Sequence, residues 1–257
     1  MSQQTLQGKL ALVTGATGGI GHASAKALAQ LGANIAVHHS SDASKPKADS
    51  IVSELKSLYP NIKAAAFKAD LSEYSGVDAL HKEVVETLGH PDIVFANHGA
   101  LFQMIGPAGN IADVSIEVVE KSWRLHTGAS YRLVQLCIPH MEAQKWGRII
   151  FTSSVAATVG GSIGPHYASS KSALHGLIHW IASRYAKLGI TSNGIAPALI
   201  EETKMIPAGN DVLRSQIPIG RLGKPDEIAS IVALLATNQY MTNKVIGIDG
   251  GWTVGAI

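Results

Sequence analysis

The sequence predicts an α/β fold built on a parallel, doubly wound sheet of about seven strands, with helices on both faces. Three observations carry this. Short β-rich runs alternate with helical periods from one end of the chain to the other. Several runs are apolar on both faces, as in Leu10-Ala11-Leu12-Val13 and Ile93-Val94-Phe95, which suits strands covered above and below by helices. The first run leads straight into the glycine-rich turn Thr14-Gly15-Ala16-Thr17-Gly18-Gly19-Ile20-Gly21, and a helical pattern follows.

In chain order, strands are expected at 9–13, 34–38, 63–68, 92–96, 148–152, 191–196 and 245–248. Helical periods lie between them, at about 19–31, 47–58, 76–88, 115–143, 166–187 and 225–236. The first of these is marked by Ala23, Ala27, Leu28 and Leu31. No repeat, low-complexity tract or linker interrupts the alternation, so residues 1–257 are expected to form one domain. The least regular stretch, about 198–222, is expected to be a lid over a site.

A hydrophobic content of 46% and a charged content of 16% describe a well-buried globular chain. The formal charge of +2 comes from scattered Lys and Arg, which argues against a nucleic-acid partner. No apolar run is long enough to span a bilayer, and residues 1–8 are polar, so a cytoplasmic setting is expected. The lone cysteine, Cys137, lies among Leu133, Val134, Leu136 and Ile138, and a buried, inert thiol is expected there. No metal site is expected. His175 and His179 stand four apart on one helix but lack the glutamate and third ligand of a zinc motif, so a solvated or interface face is expected.

The glycines of the first turn let the backbone bend sharply and approach a pyrophosphate, and the helix behind them offers free N–H groups and a positive dipole end. The position after strand one favours a dinucleotide site over a plain turn. In Tyr167-Ala168-Ser169-Ser170-Lys171 the tyrosine and lysine are four apart, hence one helical turn apart on one face. A phenol works as a general acid or base near neutrality only if its pKa is brought down from about 10, and an adjacent ammonium favours that. Ser154 closes the fifth strand, at the carboxyl edge where open α/β sheets bind ligands. Its neighbour Ser153 is expected to be a packing serine.

The spacing Gly15-x-x-x-Gly19-x-Gly21, with Asp70-Leu71, Ala96-Asn97-His98-Gly99, Ser154, Tyr167, Lys171, Asn193 to Ala198 and Asp249-Gly250-Gly251, resembles the short-chain dehydrogenase/reductase superfamily over nearly the whole chain. Within it, the general resemblance is to 3-oxoacyl-carrier-protein-reductase-like carbonyl reductases. The resemblance implies a Rossmann-like domain and hydride transfer between nicotinamide and a small carbonyl or alcohol substrate. It implies Tyr167 as proton donor, Ser154 on the substrate oxygen and Lys171 on the nicotinamide ribose. It also implies a cofactor bed of Gly15, Thr17, Gly19, Ile20, Gly21, Asp70, Leu71, Asn97 and Gly99, with Pro197, Ile200 and Thr203 near the carboxamide. Ala198 replaces the usual glycine after Pro197, and Thr203 stands one residue late.

NAD-dependent relatives carry a carboxylate at the end of strand two; here the run is His38-His39-Ser40-Ser41, with Lys45 and Lys47 beyond. His39, Ser40 and Ser41 are therefore expected to receive a 2′-phosphate, which makes NADP(H) the expected cofactor. Gly18 departs from the Arg or Lys of many NADP-dependent relatives. His126 occupies the family's fourth catalytic position, normally Asn, whose main-chain carbonyl is thought to hold a relay water; an acid/base role and a purely local one are both open.

The resemblance also implies a homotetramer, with Leu133, Leu136, Leu177 and Ile181 available for burial in an interface or in the core. Phe102, Val155, His166, Met205 and Ile206 are candidates for lining a substrate pocket, and Lys204 and Lys224 are expected surface charges. Two further functions share the scaffold: an epimerase or dehydratase, and a non-catalytic NADP(H)-binding sensor.

Overall fold

A computed structural model describes residues 6–203, 214–215 and 217–253. Its strands are β1 (Leu10–Val13), β2 (Asn34–His39), β3 (Ala64–Lys68), β4 (Ile93–Ala96), β5 (Gly147–Thr152), β6 (Ile190–Pro197) and β7 (Lys244–Ile248). They form one parallel sheet in the order β3-β2-β1-β4-β5-β6-β7. The expected strands are all present, shifted by a residue or so at their ends. The helices are α1 (Gly19–Gln30), α2 (Lys45–Leu58), α3 (Tyr74–Leu88), α4 (Ile116–Trp123), α5 (Ala129–Gln144), α6 (Ala156–Val159), α7 (Pro165–Tyr185) and α8 (Pro225–Thr237).

Alternation along each strand builds two cores. Leu10, Leu12, Val94, Ile149 and Phe151 face Leu80, Val84, Leu133 and Ile178 on α3, α5 and α7. Their neighbours Ala11, Val13, Ile35, Val37, Phe95 and Ile150 face Leu28, Ile51, Leu55, Val232 and Leu235 on α1, α2 and α8. Both faces being covered, β1 and β4 are buried throughout. Strand order reverses between β1 and β4, which opens a crevice at their carboxyl ends. Cys137 is buried in the first core, and burial pushes its thiol up to about 12. Leu133 and Ile181 are likewise core residues.

The helix expected over 115–143 is broken. A π turn, Arg124–Gly128, separates α4 from α5. Its wider hydrogen-bonding loop frees backbone groups for outside partners. The Leu125 carbonyl accepts from His98 Nε2 (3.0 Å), and the His126 carbonyl accepts from Ser130 Oγ (2.7 Å).

Of the expected lid at 198–222, the two ends are described. Ile200 bridges Gly223, the Glu201 N–H donates to the Gly223 carbonyl (2.9 Å) and the Gly223 N–H to that of Leu199 (3.0 Å). Lys204, Met205 and Ile206 lie outside the described residues. Lys224 is exposed where α8 begins.

Candidate active site

The turn after β1 is drawn tight against its own helix. A Cβ on Gly21 would stand 2.8 Å from Ala16 Cα, and one on Gly19 would stand 2.5 Å from the Glu202 carbonyl oxygen. Glycine at 21 thus lets α1 close on Gly15 and Ala16, and glycine at 19 lets the chain after β6 cross the turn. Gly18 caps α1 without a side-chain acceptor, so its first-turn N–H groups keep their donors and dipole free at the crevice mouth. Half-exposed Thr17 and Ile20 flank them. This donor set fits the pyrophosphate of a dinucleotide.

At the end of β2, Ser40 and Ser41 are exposed, as a 2′-phosphate would need. His39 is not. Its ring is buried and hydrogen-bonds through Nδ1 to the Ser41 carbonyl (3.0 Å). Lys45 pairs with Asp49 (2.7 Å), and Lys68, a cation that the linear pattern did not single out, pairs with Asp42 (2.9 Å). Asp70 is exposed, its Oδ1 accepting the Ser72 N–H (2.9 Å), and Leu71 is buried beneath.

On the other side of the crevice, Ser154 follows β5, while Tyr167 and Lys171 share one face of α7. The Ser154 hydroxyl accepts the Ala156 N–H (3.2 Å) and is hydrogen-bonded to the Tyr167 phenol. Lys171 Nζ donates to the Thr152 carbonyl (2.7 Å) and lies 5.9 Å from the Tyr167 ring centre. Burial lowers Lys171 to about 8. Burial also holds the Tyr167 phenol above its ordinary value, opposed by the Ser154 hydrogen bond. Burial of the phenol thus works against the depression that the linear pattern expected lysine to supply.

Asn97 closes the crevice floor: its N–H donates to Thr14 Oγ1 (2.9 Å), its Oδ1 accepts from Thr152 Oγ1 (3.1 Å) and its Nδ2 donates to the Thr14 carbonyl (3.2 Å). Gly99 is exposed beside it, and a Cβ there would stand 3.5 Å from the His126 ring and 3.7 Å from Lys171 Nζ. Pro197 ends β6, Ile200 is buried, and Thr203 Oγ1 donates to the Ile200 carbonyl (2.8 Å). Ser154, Tyr167, Lys171, His126, Asn97 and Gly99 thus meet at the ends of β4 and β5. Ser40 and Ser41 stand apart at the end of β2.

Histidines brace this edge. His38 Nδ1 accepts the Gly15 N–H (3.0 Å) and Nε2 bonds the Ala69 carbonyl (3.0 Å). His98 joins Thr14 Oγ1 (2.8 Å) to the π turn. His126 Nδ1 bonds Ser170 Oγ (2.8 Å), and its ring meets that of Tyr167 edge to face at 5.4 Å. Burial lowers His38 to about 4, His98 to about 3 and, with Lys171 adding to it, His126 to about 2. All three are neutral in the fold. Ser153 is buried as a packing serine, bonded to His175 Nε2 (2.8 Å), so His175 is not simply solvated; His179 Nδ1 meets Asn243 Oδ1. Val155 and His166 are buried and Phe102 is exposed. The supporting roles of His38 and Ser170 were not legible in the chain, since each acts through a contact distant in sequence, His38 on Gly15 and Ser170 on His126.

A family model described as short chain dehydrogenase matches residues 9–211. L-rhamnose 1-dehydrogenase (NAD(P)(+)) of Sphingomonas sp. (strain SKA58) is 32% identical over 257 residues, 97% of this chain and 98% of that one. The 3-oxoacyl-(acyl-carrier-protein) reductase FabG of Thermotoga maritima is 31% identical over 97% of this chain and 99% of its own. A blue fluorescent protein from a metagenomic library, solved in complex with NADPH, superposes with a TM-score of 0.89 at 32% identity, covering 98% of this chain and all of that one, 100%.

Proposed function

The chain belongs to the short-chain dehydrogenase family, and from that membership we propose that it is an NADP(H)-dependent oxidoreductase reducing a small-molecule carbonyl to an alcohol. The single observation that carries this is the meeting of Ser154, Tyr167 and Lys171 at the carboxyl edge of β5, across the crevice from the uncapped start of α1.

A bound nicotinamide supplies the hydride to the carbonyl carbon. Tyr167 gives its phenolic proton to the substrate oxygen, and Ser154 donates a hydrogen bond to that same oxygen. Burial alone keeps the phenol protonated at rest, and Ser154 together with the Lys171 ammonium favours the phenolate as the proton leaves. Lys171, anchored on the Thr152 carbonyl, holds the nicotinamide ribose and keeps a positive field beside the phenol as its proton leaves. Gly15, Thr17, Gly19, Ile20 and Gly21 would hold the cofactor's pyrophosphate, with Asp70 and Leu71 toward the adenine, Asn97 and Gly99 toward the nicotinamide, and Pro197, Ile200 and Thr203 toward the carboxamide. His126 positions this edge without exchanging protons.

NADP(H) is preferred because β2 ends without a carboxylate and leaves Ser40 and Ser41 open, while Lys68 neutralises Asp42 nearby. The NADPH in the metagenomic protein's structure supports this choice. The chain acts as one domain; most of the expected lid, residues 204–213 and 216, lies outside the described residues. We assign it to the cytoplasm, with no membrane or nucleic-acid partner; among the described residues no helix is long and apolar enough to cross a membrane. Trp123, Tyr131 and Trp180, exposed on α4, α5 and α7, supply the apolar surface of a homotetramer.

Steady-state kinetics with a panel of ketones test the cofactor assignment. NADPH is expected to give the higher kcat/KM, and Ser40→Asp, which puts a carboxylate at the exposed end of β2, to erase or reverse the preference through repulsion of the 2′-phosphate. Equal or better efficiency with NADH in the parent overturns it.

A further inference from the structure

His166 precedes Tyr167 in α7, and its imidazole is 2% exposed. Neither ring nitrogen has a hydrogen-bond partner among the described residues. A neutral imidazole offers one N–H and one lone pair, and groups so deeply buried are ordinarily matched. The proton transfer assigned to Tyr167 uses neither.

The ring packs against the loop that leads into α7, one residue before Tyr167. The loop after β4 is clasped to the loop before α7 by two hydrogen bonds, Ile105 N–H to the Ile163 carbonyl (3.1 Å) and Gly106 N–H to the Ser162 carbonyl (2.9 Å). Gly164 follows the clasp with φ +136°, and a Cβ there would stand 3.0 Å from His166 Nδ1 and 3.3 Å from Ile105 Cγ1. The ring edge and the Ile105 side chain therefore share the small space that this glycine leaves. His166 is also near enough to His126 to add to its electrostatic field, and His126 packs on Tyr167. Successive helical residues point about 100° apart, so His166 cannot address the oxygen that Tyr167 protonates. It can address another atom of the same molecule.

We propose that His166 is a specificity-determining residue that hydrogen-bonds a second oxygen of the substrate, so that the natural substrates are hydroxy- or oxo-substituted carbonyl compounds rather than simple ketones. This rests on Tyr167 and Ser154 holding the reacting oxygen. A hydroxyl satisfies either nitrogen, because it donates and accepts; a second carbonyl takes the N–H. Sites built to hydrogen-bond a substrate group discriminate strongly against the analogue that lacks it.

The test uses matched pairs, acetoin against butanone and acetylacetone against pentanone, with NADPH and the parent, His166→Phe and His166→Gln proteins. The parent is expected to favour the oxygenated member of at least one pair by about tenfold or more in kcat/KM. His166→Phe is expected to lose that preference mainly through KM, and His166→Gln, whose amide keeps a donor and an acceptor, to recover part of it. No preference in the parent, an unchanged preference in His166→Phe, or equal losses on both members of each pair overturns the proposal. Should the phenylalanine variant not fold, His166→Leu, which likewise removes both nitrogens, decides by the same ratios. Calorimetric binding of each pair to the NADPH-loaded proteins separates the two levels. Binding preference for the oxygenated member, lost in His166→Phe, sustains His166 even where no carbonyl oxidises NADPH and the oxidoreductase assignment itself fails.

Discussion

His126 stands where the family carries asparagine, and its surroundings decide between the roles that the linear pattern left open. Ala100 presents both its N–H (3.2 Å) and its carbonyl (3.1 Å) to Nε2, while Nδ1 meets Ser170 Oγ, whose hydroxyl lies 2.8 Å from the Tyr167 carbonyl. A proton on Nδ1 satisfies the whole chain: Ala100 N–H donates to Nε2, Nδ1–H to Ser170, and Ser170 O–H to Tyr167. The imidazole then links the loop beside Gly99 to the catalytic helix. Held at about 2 by burial and by Lys171, it does not titrate in the working range. His126→Asn, able to restore one of these bonds, is expected to lower kcat/KM by less than about tenfold, or roughly 1.4 kcal/mol. The pH–rate profile is expected to show no imidazole ionisation. An ionisation near neutrality that vanishes in both His126→Asn and His126→Ala would make the imidazole a proton carrier instead. The main-chain route weakens as well, since the His126 carbonyl is engaged by Ser130.

The carboxyl edges of β1, β2 and β4 are tied together by histidines that must stay neutral. His38 (about 4), His98 (about 3) and His126 (about 2) all lie below the ordinary 6.5 because burial penalises their charged forms. A depressed folded pKa means that the unfolded chain takes up the proton first. Their contribution is complete above about pH 6.5 and is lost as pH falls, at up to about 1.4 kcal/mol per histidine per pH unit. Urea unfolding is expected to show stability falling steeply from pH 7 to pH 5, with His38→Gln reducing the slope by about one proton; a flat profile would show that these rings charge without unfolding. None of this bracing was legible in the chain. Because burial on two faces leaves a plain mark, hydrophobic period placed every strand and every helix except the four-residue α6, which is too short to show a period. It ran unbroken over 115–143, because a π turn adds one residue to a loop without changing which residues are apolar. The clasp between Ile105–Gly106 and Ser162–Ile163 joins two loops, where periodicity says nothing.

At the scale of the molecule, the sheet order carries the chemistry. Placing β4 beside β1, and β5 beside β4, brings Thr14, Asn97 and Ser154 to one edge from widely separated positions. The motif residues were legible because their types and spacing survive in the linear chain. The electrostatics were not: burial raises Tyr167 and lowers Lys171 together, and burial is a property of the packed whole. The central claim, that Tyr167 donates the proton while the nicotinamide is consumed, is tested most directly by following NADPH oxidation in the parent and in Tyr167→Phe against one accepted carbonyl substrate, with NADPH affinity measured alongside. The expected result is a fall in kcat/KM of at least about 10²-fold with the NADPH Kd little changed. Near-parent turnover in Tyr167→Phe would contradict it.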